Sequence, residues 1–197
     1  MHPLQSLIAR HQHGTACGVT SICSAHPLVI EAALRHAQRH DLPLVLFEAT
    51  CNQVNQDGGY TGMTPADFVR FVHAIAHQVG LDPARILLGG DHLGPNPWAA
   101  LPAEAAMRKA EAMIAAYASA GFSKLHLDCS MACADDPTPL PEATIVQRAV
   151  RLCRAAAVHP VRRRMPAMPQ LSRQPAWPAR SSTAGWRTCP PHGAPPG

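Results

Sequence analysis

The sequence predicts an α/β fold built on a parallel sheet, and three observations lead there. Short, almost continuously apolar runs recur four times along the chain. Each is followed by a polar loop and then by a longer segment of helical period. Helix-capping residues stand where those longer segments begin and end.

The elements can be justified in order. The first run, GVTSICSA (18–25), precedes the helical segment PLVIEAALRHAQRH (27–40). The second, LPLVLFEAT (42–50), leads through a loop into TPADFVRFVHAIAHQVG (64–80). There Phe68, Phe71, Val72, Ile75 and Val79 fall on one helical stripe, as a helix docked along one side requires. Thr64 supplies an N-cap hydroxyl, Pro65 a preset first turn and Asp67 the reciprocal carboxylate, while Gly80 stands just past the end. The third run, RILLGGDH (85–92), precedes PAEAAMRKAEAMIAAYASAG (102–121), which Gly121 ends in the same way. The fourth, FSKLHLDCS (122–130), precedes PEATIVQRAVRLCRAAA (141–157).

Strand then helix, repeated, leaves two architectures: an open doubly wound sheet or part of a (β/α)8 barrel. A dinucleotide-binding sheet needs G-x-G-x-x-G after its first strand, and SAHPLV (24–29) stands there instead. Polar residues gather after every strand, where a barrel builds its site. The expected fold is therefore a partial TIM (β/α)8 barrel of about four βα units over residues 1–157. Residues 158–197 depart from it, with nine prolines, six arginines, no acid and no apolar period. A disordered Pro/Arg-rich tail and out-of-frame translation of a GC-rich gene both account for that segment.

The formal charge of +4 is the sum of unlike parts, because residues 1–157 hold eleven Lys and Arg against thirteen Asp and Glu. The basic excess belongs to the tail, so no nucleic-acid partner is expected. Seven cysteines show no C-x-x-C and no zinc-finger spacing, which suits reduced thiols and a cytoplasmic location. No signal-peptide core and no membrane-length apolar run is present.

Chemistry-bearing residues cluster at the strand ends. The loop EATCNQVNQDGGYTGMTPAD (48–67) offers Asn52, Gln53, Asn55 and Gln56, with Gly58 and Gly59, ahead of a helix N-terminus. Amides and exposed backbone N–H groups in that position suit the hydroxyls and phosphate of a sugar phosphate, although they also suit a loop that satisfies its own backbone. Glu48 and His26 join them as candidate binding residues, with a local cap as the other account of His26. Asp91 and His92 are candidates for a base and a metal ligand acting beside a carbonyl. Strand alternation would send their side chains to opposite faces. On the fourth strand His126 and Asp128, two apart, share a face, giving His92 and His126 as candidate metal ligands and Asp128 as a third candidate catalytic group, with a histidine satisfied within the core as the favoured account of His126.

Taken together, GVTSICSAHPLVIEAAL, EATCNQVNQDGGYTGMTPADF, ILLGGDHLGPNPW and AGFSKLHLDCSMACADDP resemble the accessory, non-catalytic subunit of class II D-tagatose-1,6-bisphosphate aldolase, the GatZ/KbaZ type. The resemblance covers residues 5–157, and family members are longer. It implies a (β/α)8 barrel that supports the activity and stability of a separate catalytic subunit in tagatose 6-phosphate, galactitol or amino-sugar breakdown, with no cofactor of its own. Some relatives are similar to ketose-phosphate 4-epimerases, so a metal-dependent epimerase using zinc is the alternative. A non-functional truncated fragment is the third possibility. A kinase lacks support, since no G-x-x-x-x-G-K-[ST] loop occurs.

Overall fold

A computed structural model of the chain describes residues 3–158. The tail expected over 158–197 lies outside the described residues except for Val158, which caps the last helix.

Strands β1 (Ser21–Cys23), β2 (Val45–Thr50), β3 (Ile86–Leu93) and β4 (Lys124–Leu127) form one parallel sheet in the order β1-β2-β3-β4. Helices α2 (Pro27–Arg39), α3 (Pro65–Val79), α4 (Ala103–Ala120) and α5 (Glu142–Ala157) follow the strands in turn. Each strand pairs with its predecessor, without the reversal of order that marks a doubly wound sheet, so the architecture is a segment of a barrel. Sequence reasoning missed one α-helix, α1 (Pro3–Gln12) ahead of β1, and two single 3-10 turns, at Pro83–Arg85 and Asn96–Trp98. The α1 segment PLQSLIARHQ carries few apolar residues, and Ile8 among them is exposed.

Alternation divides the sheet. On one face Phe47, Ala49 and Leu88 pack under the helices against Phe68 and Val72 of α3, Met107, Met113, Ile114 and Tyr117 of α4, and Leu152 of α5. The Phe122 ring sits 4.5 Å from Tyr117 and 6.2 Å from Phe68, centroid to centroid, which closes the layer. Each fully buried side chain of this size contributes ~1.5–3 kcal/mol, so this face carries most of the fold's stability.

The caps work as the residue types require. Thr64 accepts from the Asp67 N–H, the Asp67 carboxylate accepts from the Thr64 N–H at 3.0 Å, and Gly80 closes α3 with φ 79°. Past β4, buried Arg148 of α5 grips Asp136 through two bonds of 2.8 and 2.6 Å and so fixes the connecting loop. Among the described residues, no helix is long and apolar enough to cross a membrane.

Candidate functional site

The second face of the sheet carries a row with one residue from each strand. Cys23 pairs with Glu48, Glu48 with Gly89, and Gly89 with Lys124. Glu48 is 4% exposed, and it accepts from Lys124 Nζ on one oxygen and from Ser21 Oγ on the other. A buried carboxylate needs such partners, and here an ammonium and a hydroxyl supply them. Gly89 makes room for the arrangement, because a Cβ there would meet Glu48 Oε1 at 2.6 Å. Lys124 escaped sequence reasoning, although its position two residues before His126 put it on the same face as that candidate.

At the end of β3 the ladder slips. Gly90 pairs with Leu125 and Leu93 with Leu127, so Asp91 and His92 together stand opposite His126 alone. Two residues against one is a β-bulge, and His92 takes a left-handed φ of 50° to make it. This corrects the expectation that Asp91 and His92 face opposite ways. Alternation holds only while the ladder is regular, and the bulge turns both side chains to one side. Asp91 Oδ1 lies 3.0 Å from His126 Nδ1, Asp91 Oδ2 lies 3.0 Å from His92 Nδ1, and the two imidazole centroids are 4.5 Å apart.

Neighbours fix the cluster. Cys51 donates to the His92 carbonyl at 3.0 Å, and Cys23 donates to Asp91 Oδ2 at 3.4 Å. Lys124 Nζ stands 4.0 Å from Asp91 Oδ1. Burial works to raise the Asp91 pKa, but the bonds from His126, Cys23 and His92 outweigh it and hold the carboxyl at about 2. Burial, then the bond to Asp91, pushes the Cys23 thiol up to about 12, so it is no thiolate nucleophile at neutral pH. The six described cysteines are all free thiols, and Cys189 lies outside the described residues.

Other expected site residues are engaged elsewhere. Asp128 lies just past β4, where Ser130 donates to its carboxylate from the backbone N–H at 2.9 Å and from Oγ at 2.6 Å. Those bonds hold its pKa below the ordinary carboxylate value. His26 caps α2, its Nδ1 accepting from the Leu28 N–H at 3.3 Å. In the loop after β2, Asn55 accepts from the N–H groups of Asp57 and Gly59 at 2.9 and 3.0 Å and donates to the Cys51 carbonyl at 2.9 Å. Gln53 accepts from the Thr50 N–H at 2.9 Å, and Gln56 donates to the Lys109 carbonyl at 3.1 Å. The Gly58 N–H donates to the Asn55 carbonyl at 2.9 Å, and Asn52 is exposed. A cleft of about 320 Å³ between α3 and α4, lined partly by Gln56, Thr64 and Ser119, shares no residue with the cluster at the end of β3.

The family described as D-tagatose-1,6-bisphosphate aldolase subunit GatZ/KbaZ-like matches residues 4–168. The chain belongs to that family. Among GatZ/KbaZ-like relatives, the D-tagatose-1,6-bisphosphate aldolase subunit GatZ of an Escherichia coli strain is 60% identical over 153 residues, covering 78% of this chain and 36% of its own. The Salmonella paratyphi B subunit of the same name is 58% identical over the same 153 residues. A crystal structure described as "a probable tagatose 6 phosphate kinase" from Sinorhizobium meliloti superposes with a TM-score of 0.71 at 65% identity, covering 74% of this chain and 37% of that one. The chain thus spans little more than a third of the length of these GatZ/KbaZ-like relatives.

Proposed function

We propose that this chain acts as an accessory part of a tagatose-bisphosphate aldolase, supporting the activity and stability of a separate catalytic subunit without turnover of its own and with no cofactor required for that role. The observation that carries this is how its polar groups are spent. Asn55, Gln53 and the amide nitrogen of Gln56 hold backbone, Glu48 is bound to Lys124 and Ser21, and the Cys23 thiol stays protonated. Groups committed in this way hold a shape for another surface to meet. The relatives' name supports the partner's chemistry. Co-expression with the catalytic subunit of a class II tagatose-bisphosphate aldolase tests the proposal. The expected result is a longer half-life of aldolase activity on warming, and an unchanged half-life overturns it.

A second function, a metal-dependent ketose-phosphate 4-epimerase, is favoured by one observation, the convergence of Asp91, His92 and His126. Turnover of tagatose 6-phosphate by the purified chain with zinc present would establish it in place of the accessory role. Absence of turnover in metal-loaded protein removes it.

A further inference from the structure

We infer that Asp91, His92 and His126 form a binding site for one divalent first-row transition ion, with at least one coordination position left open. One carboxylate oxygen and one ring nitrogen from each histidine lie within 4.8 Å of one another. Zinc bonds of ~2.0–2.2 Å place tetrahedral ligand atoms roughly 3.3 Å apart. Each imidazole Nδ1 already lies 3.0 Å from a carboxylate oxygen of Asp91, His126 from Oδ1 and His92 from Oδ2, so small rotations bring one oxygen and both rings to that edge. Two imidazoles and a carboxylate form the donor set that borderline ions such as zinc, cobalt and iron prefer over magnesium or calcium.

The surroundings fit an ion as well. The His92 and His126 side chains are 59% and 44% exposed, so solvent and metal reach them directly. The Lys124 ammonium would repel a cation if it were free, but it is bonded to Glu48, which offsets its charge. Cys51 pins the His92 backbone, which keeps the bulge and therefore the ligand spacing in place. Asp128 is not among the ligand atoms that converge here, and its Oδ1 accepts both bonds from Ser130. One carboxylate under a doubly charged ion leaves a net positive centre, suited to an oxygen of an anionic or hydroxy-ketone ligand at the open position.

The site shares its residues with the epimerase proposal but not its fate, since an accessory subunit can hold metal without turnover. Cobalt(II) titration of the purified 197-residue chain, followed by visible absorption and checked by zinc competition, tests it directly. One cobalt per chain is expected, displaced by one zinc. His126→Ala and, separately, His92→Asn should each weaken cobalt binding by at least about a hundredfold, more than loss of a supporting residue costs. Far-UV circular dichroism of each variant guards against unfolding, and Asp91→Asn serves where one fails. The His36 and His40 rings, 4.4 Å apart on α2, offer a rival surface pair, so the double variant His36→Ala/His40→Ala is the control and should bind as the parent does. No saturable cobalt binding overturns the inference. Binding that survives His126→Ala and is lost in the control also overturns it.

Discussion

The loop after β2 and the end of β3 make opposite use of polar residues. The loop has more of them, four amides and three glycines between Asn52 and Gly62, yet Asn55, Gln53 and Gln56 spend hydrogen bonds on nearby backbone. The end of β3 offers only Asp91 and His92, and a one-residue slip turns both toward His126. Richness in functional residue types marks a shaped loop as readily as a site. What distinguishes the two is whether the side chains face backbone or each other.

Substitutions can break this contrast, beginning with the most damaging. Gly94→Ala would place a Cβ 1.7 Å from the Asp128 carbonyl oxygen, a backbone clash that nothing flexible relieves. Cooperative thermal unfolding should be lost, as followed by circular dichroism. Gly59→Ala strains the loop instead, with φ at 55° and the new carbon 2.4 Å from the Gln53 oxygen, and should cost about 3 kcal/mol or more in urea unfolding. Asn55→Ala strips partners from Cys51, Asp57 and Gly59 at a buried position, and a loss of about 2–3 kcal/mol is expected in the same measurement. A loss below about 0.5 kcal/mol would free the amides for a ligand after all.

At the end of β3 the expected effects are small or reversed. His92→Gly relieves a left-handed side chain and should hold stability within about 1 kcal/mol, on the stabilising side, while removing one corner of the cluster. Asp91 gives the gentlest test. Its carboxyl is depressed from an ordinary 3.8 to about 2, so its contribution is complete above the ordinary value and is lost as pH falls through about 2. The melting-temperature gap between the parent and Asp91→Asn should therefore narrow from about pH 5 to about pH 2. A constant gap would show that the hydrogen-bonded carboxylate contributes nothing to folding.

The strands and helices of the βα repeat were legible because local chemistry decides them. Thr64, Pro65 and Asp67 announce the start of α3 and Gly80 its end, and both behave accordingly. The stripe from Phe68 to Val79 is likewise buried, with Phe71 packed at its border. The bulge was not legible, since nothing in ILLGGDHL distinguishes a regular ladder from one with a residue to spare. Register is set by β4 and by the space Gly90 leaves for Leu93 and Tyr117. Nor was the role of Tyr117 legible, a residue that reads as core filler. Its hydroxyl donates to the Val54 carbonyl at 2.8 Å and ties α4 to the loop after β2, and burial pushes its pKa up.

The missing side chain at Gly89 has a consequence for how such a chain can change over generations. The Glu48 carboxylate occupies the volume that a methyl group at position 89 would take. Alanine at 89 therefore displaces the Glu48 side chain from its bonds unless 48 has already shortened, and a shorter residue at 48 strands Lys124 unless that position changes too. Substitutions on β2, β3 and β4 are coupled at these three positions, so the effect of each depends on which of the others has already changed.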